Sequence, residues 1–132
     1  MNRNELQKKL SVITSDLLRE KGHIAFVDIF LRLGYLDAKD YESWRMKHIP
    51  FLEKAIMVNL SKISFIMKTV RRNCQNGNLA ESWTSYKSWG KGKKVCLQFS
   101  RNGEDNIEKT YATHFIKPQQ LNKKQKEAEQ IA

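Results

Sequence analysis

Between Ser82 and Phe99 the chain reads SWTSYKSWGKGKKVCLQF, with two tryptophans, a tyrosine, a phenylalanine and four lysines but no acid. Flat rings and uncancelled ammonium groups at this density are suited to holding a polyanion. Lys87, Lys91, Lys93 and Lys94 can meet phosphates, and the glycines flanking Lys91, Gly90 and Gly92, let the backbone approach them closely. Trp83, Tyr86 and Trp89 recur every three residues and can stack on unpaired bases, at about 1–3 kcal/mol per base. Lys68, Arg71 and Arg72 on the preceding helical stretch, with Arg101 just beyond, complete the candidate nucleic-acid contacts. The competing reading is a lysine-rich hairpin whose rings build core, and at least one of the two tryptophans is expected to do so. The G-K-G-K-K run lacks the G-x-x-x-x-G-K-[ST] spacing of a phosphate-binding loop.

The distribution of charge favours the polyanion. The 132 residues include 24 Lys/Arg and 14 Asp/Glu, for a net charge of +10. Residues 61–100 alone carry eight cations against the single acid Glu81, a net +7. A pI near 9.7 points to nucleic acid or another anionic surface. Charge present for solubility alone would have no reason to gather in one third of the chain.

Other chemistries have little to work with. His23, His48 and His114 are far apart and each sits beside an apolar residue. Cys74 and Cys96 have neither C-x-x-C spacing nor a nearby histidine pair, so no metal or cofactor is expected. Hydrolase and nucleotide-binding motifs are missing from the sequence, and no catalytic residue is assigned. One hydrolytic arrangement stays open: a metal-independent ribonuclease with His114 as acid–base and Tyr111, Lys94 or Arg101 stabilising the phosphorane. Tyr111 and His114, three apart on an expected strand, would face opposite ways, which weakens it. A further alternative is a protein-interaction module or homodimeric adaptor. Tyr35, Tyr41 and Trp44 would be its exposed anchors, and Val58 and Phe65 would be covered by a partner or second copy.

The elements that must carry these residues divide the chain in two. Leu6, Leu10, Ile13, Leu17 and Leu18 recur at helical spacing after Asn4, and Gly22 stops that helix. A second, almost wholly apolar helix is expected from Ile24 to Leu33, ending at Gly34. Asp37 then caps a short helix closed by Pro50. Its glycine turn has the spacing of a helix-turn-helix. That short helix, with Asp37, Asp40 and Glu42 against Lys39, Arg45 and Lys47, is more acidic than a major-groove helix should be. A long helix is predicted over 50–77, its core stripe running through Leu52, Ile56, Leu60, Ile63, Met67, Val70 and Cys74.

Beyond Gly77 the period changes to two. Val95, Leu97 and Phe99 alternate with polar residues, Asn102-Gly103 signals a hairpin, and Ile107 to Phe115 returns as a second strand. A third, shorter strand is expected at TSYKSW, before Gly90 and Gly92. The expected fold is therefore α+β: about four helices, one of them long, then an antiparallel hairpin or small meander. At the level of fold alone this arrangement resembles winged-helix proteins, and a fold licenses no function. One domain is expected over 1–117, with 118–132 a polar tail or terminal helix. Neither a leader-like N-terminus nor a run of roughly eighteen apolar residues is present, so no membrane contact is expected. The two cysteines, without a disulfide framework, suggest the reducing cytoplasm. The reading is a cytoplasmic, non-enzymatic nucleic-acid-binding protein with a regulatory role open to it. DNA and RNA are left undecided.

Overall fold

The computed structural model describes residues 2–118; of the tail expected at 118–132, all but Pro118 lies outside the described residues. Helix α1, Arg3–Lys21, begins at Asn2, whose side chain accepts from the Glu5 N–H, two residues earlier than the Asn4 expected. Gly22 ends it in the left-handed region at φ 77°, returning its N–H to the Leu18 carbonyl. The buried face is the predicted one, Leu6, Leu10, Ile13 and Leu17. Next comes β1, His23–Ala25, and only then α2, Phe26–Leu33. Ile24 and Ala25 were expected inside the helix, but they pair with Phe115 and His114 across the sheet. A short apolar run fits a buried strand as well as a buried helix, and the strand partner decided it.

Helix α3, Ala38–Arg45, starts where Asp37 predicts, with the carboxylate accepting from the Lys39 N–H at 3.2 Å. The long helix starts ten residues later than expected, as α4, Leu60–Asn76, capped by Asn59 through the Lys62 N–H at 2.8 Å. Residues 51–59 hold one 3-10 turn, Leu52–Lys54, and three of their N–H groups are claimed elsewhere. Leu52 and Glu53 donate to the Gln98 and Phe99 carbonyls, and Met57 donates to Tyr35. Leu52, Ile56, Ile63, Met67, Val70 and Cys74 are buried as predicted, whereas Leu60, in the first turn of α4, is 64% exposed.

Strands β2, Ala80–Trp83, and β3, Thr113–Ile116, complete an antiparallel sheet in the order β1-β3-β2. The fold is α+β as expected, but the sheet is not a C-terminal meander, since its first strand comes from the helical half. The return segment is also different. Asp105–Ala112 forms helix α5, and only Thr113–Ile116 is strand. Asp105 and Glu108 in its first turn suit the helix N-terminus. Glu108 also accepts from the Phe99 N–H, the Ser100 N–H and the Ser100 hydroxyl, at 2.6–2.8 Å. Asn102-Gly103 therefore turns the chain into a helix rather than closing a hairpin. Buried side chains from Leu6 to Phe115 make one core cluster, with Trp44, Tyr111, Phe26, Phe30 and Phe115 its largest fully enclosed members.

Candidate nucleic-acid interface

The lysine-rich stretch does form a hairpin, but with partners other than the expected ones. Tyr86–Ser88 runs antiparallel to Val95–Leu97, held by a Lys87–Cys96 bridge and by N–H bonds from Ser88 to Val95 and from Leu97 to Tyr86. The short TSYKSW segment is thus the partner of VCL, and the tip between them is W-G-K-G-K-K. Gly90 and Gly92 both sit at positive φ, 97° and 95°, a conformation that side-chain-bearing residues rarely adopt. A Cβ on Gly90 would also lie 3.2 Å from the Met46 Cε. Lys87, Lys91, Lys93 and Lys94 are all exposed. Lys94 is bonded to the Gly90 carbonyl and Lys87 to the Cys96 sulfur. Among the described residues none of the four meets a carboxylate within ion-pair distance.

What holds this tip in place is a residue that sequence reasoning passed over. The Arg45 guanidinium, at the end of α3, lies 4.7–5.9 Å from the ring centroids of Tyr41, Trp44, Tyr86 and Trp89. It donates to the Tyr41 hydroxyl at 3.0 Å and to the Lys87 carbonyl at 2.7 Å, while the Arg45 carbonyl accepts from the Trp89 N–H at 2.7 Å. Arg45 read only as a surface cation of a short helix, because its partners in the hairpin, Tyr86, Lys87 and Trp89, lie more than forty residues away in sequence. Arg45→Ala is expected to lose about 2–3 kcal/mol, the scale of charged hydrogen bonds plus cation–π contacts. Faster amide exchange at Ser88 and Trp89 would identify the hairpin as the part released; unchanged exchange there would refute the anchoring role.

The aromatic candidates separate. Trp89 and Trp83 are 43% and 54% exposed, with Lys109 of α5 lying 4.3 Å from the centroid of the Trp83 ring. Tyr86 is not available to a base. It is 8% exposed, packs on Trp44, Phe99 and His114, and shares a hydrogen bond with His114 Nε2 at 3.1 Å. Burial raises its hydroxyl well above the ordinary tyrosine value, so it stays neutral. Trp44, expected as an exposed anchor, is wholly buried and donates its indole N–H to the Gln98 carbonyl at 2.8 Å. Tyr41 and Val58 pack half-buried against the core, and so does Phe65, under the Arg3 guanidinium.

The remaining cations lie elsewhere. Lys68 and Arg71 of α4 and Arg101 line one groove between α4 and α5, with Arg71 paired to Glu81 at 3.0 Å. Arg72 is exposed and does not line that groove. The ribonuclease residues are not brought together as a pair. Tyr111, on α5, donates its hydroxyl to Glu53 at 2.6 Å, and burial with that carboxylate raises the hydroxyl above its usual value. His114, on β3, instead stacks on His23 at 5.0 Å. No group of histidine, cysteine or acidic side chains among the described residues could hold a metal ion.

The two thiols are free and differ sharply. Hydrogen bonding and charge from the Lys87 ammonium, 2.9 Å from Sγ, hold exposed Cys96 below its ordinary value. Burial pushes Cys74 up to about 12. At pH 8 a thiol reagent should label one cysteine in the folded protein and both in urea, and Lys87→Gln should slow the first reaction several-fold. Because burial favours the neutral Cys74 thiol, its contribution to stability is present below the ordinary value of 9.0 and lost as pH rises toward about 12. Compared with protein-family models, curated proteins and solved structures, the chain matches none.

Proposed function

We propose that this protein binds nucleic acid without catalysing a reaction on it. Contact is chiefly to phosphates, through the hairpin, at Lys87 on its arm and Lys91, Lys93 and Lys94 at its tip. One observation carries the reading: four exposed cations lacking a carboxylate partner among the described residues sit on one hairpin, Lys87 on its arm and Lys91, Lys93 and Lys94 on its glycine turn, tied to the core through Arg45. Like charges gathered on a tethered turn repel one another, and an anion relieves that repulsion. Lys68, Arg72 and Arg101 are further exposed cations, and Trp83 and Trp89 retain enough open ring to stack on an unpaired base.

Contacts of this kind read backbone rather than base edges, so sequence selectivity should be modest. The sheet order β1-β3-β2, with α1 before β1, supports the winged-helix likeness; the connection from β2 to β3 holds the hairpin, which on that likeness takes the place of a wing, and in addition the helix α5. We place the action in the cytoplasm, where Cys74 and Cys96 would stay reduced. Among the described residues no helix is long and apolar enough to cross a membrane. Fluorescence anisotropy with single- and double-stranded DNA and RNA across a salt series tests the reading. Affinity that ignores salt, or none at low salt, would overturn it.

A further inference from the structure

We propose a second binding site on this chain, for a small amphiphilic anion, namely a carboxylate carried on an aliphatic body. It lies in the groove between α4 and α5, away from the hairpin tip, and does not depend on the nucleic-acid reading. The spacing of Leu60, Ile63 and Met67 brings three apolar side chains to one wall of α4, and Ile107 and Tyr111, four apart on α5, line the same groove. Leu60 and Ile107 are 64% and 40% exposed, so this apolar surface has no covering among the described residues. The groove measures about 540 Å³, within the roughly 300–1,000 Å³ of small-molecule sites.

Charge selects the occupant. Lys68, Arg71 and Arg101 line the groove with one acid, Glu53. Glu53 is already engaged, accepting from the Tyr111 hydroxyl at 2.6 Å and from the Arg101 N–H at 3.2 Å. Arg71 is committed to Glu81, while the side chains of Lys68 and Arg101 have no ion-pair partner among the described residues. An apolar body on the Leu60–Met67 wall would leave its carboxylate to those two cations. A nucleobase fits less well: the one ring lining the groove, Tyr111, is already stacked on Phe99 at 5.3 Å and 3°. A second copy joined about a two-fold axis would bring like cations together.

Octanoate, octanol and octylamine are the probes, titrated into the full chain under amide-resolved NMR. Octanoate should shift Ser64, Met67, Ile107 and Thr110 saturably, with octanol about tenfold weaker and octylamine weaker still. Lys68→Gln with Arg101→Gln, both at exposed positions, should abolish the preference for octanoate and leave the rest of the spectrum in place. Ile107→Glu should abolish binding while nucleic-acid affinity through the hairpin persists. Equal binding of octanol and octanoate would overturn the proposal, as would saturable shifts confined to another surface. A concentration-dependent dimer in light scattering that moves the same amides would assign the groove to a second copy and overturn it too.

Discussion

Trp44→Ala is expected to lower the unfolding free energy by about 3–5 kcal/mol, the range for removing a large aromatic from a core. Trp44 is wholly enclosed, so truncation leaves a cavity bounded by Tyr41, Tyr86 and Phe99, whose centroids lie 5.3–6.1 Å from its ring. It also removes one of the two hydrogen bonds to the Gln98 carbonyl, which accepts the indole N–H at 2.8 Å. That carbonyl also receives the Leu52 N–H, and the neighbouring Phe99 carbonyl receives Glu53, so the damage reaches the loop before α4. Trp44→Phe separates the two contributions. It keeps most of the packing but loses the donor, and should fall about 0.5–1.5 kcal/mol short of wild type, the net worth of one hydrogen bond. Urea unfolding followed by circular dichroism measures both. Trp44→Ala with near-native stability and an unchanged m-value would contradict the enclosed indole.

The reason Trp44 read as exposed shows where a single sequence stops informing. Short-range signals were legible: Gly22, Gly34 and Asp37 end or begin helices at the expected residues because caps depend on one or two neighbouring hydrogen bonds. The stripe from Ile63 to Cys74 was legible because a long helix repeats its signal several times. Elements decided by distant partners were not. Ile24 and Ala25 are strand because β3 lies beside them. Residues 51–59 are kept from continuing α4 by carbonyls of residues 35, 98 and 99. Ile107–Ala112 alternates acceptably as a strand, yet Glu108 reaches the Phe99 and Ser100 N–H groups from α5.

The same division holds for the candidate site. That cations gather in residues 61–100 was visible from composition. Their separation into a hairpin set and a groove set was not, because it follows from how α4, α5 and the hairpin pack. Tyr86 and Trp89, three residues apart, were expected to act alike. Pairing with the Val95–Leu97 arm turns Tyr86 inward against Trp44 and His114, while Trp89 keeps part of its ring in solvent. Arg45, which ties the hairpin down, gave no local sign of its role.

Replacing Lys91, Lys93 and Lys94 together with glutamine is expected to weaken nucleic-acid binding on the order of 10²-fold near 0.1 M salt. Each neutralised phosphate releases condensed counterions, so log Kd varies with log salt by about 0.9 per contact on duplex DNA and about 0.7 on single strands. Losing three contacts should make the slope shallower by about 2.7 and about 2.1 respectively, if all three lysines touch phosphate. Lys94 is bonded to the Gly90 carbonyl, so a binder must draw it away, and a smaller change would single it out as a turn-closing residue. Stability should move little, since surface substitutions usually fall within about 0.5 kcal/mol, and easing repulsion at the tip acts in the protein's favour. Lys8→Gln with Lys9→Gln, exposed on α1, removes two charges without touching the hairpin. If charge anywhere on the molecule sufficed, that pair would flatten the slope two-thirds as much as the triple variant. A local interface leaves the pair close to wild type, and equal flattening per charge removed would dismiss the hairpin as the binding element.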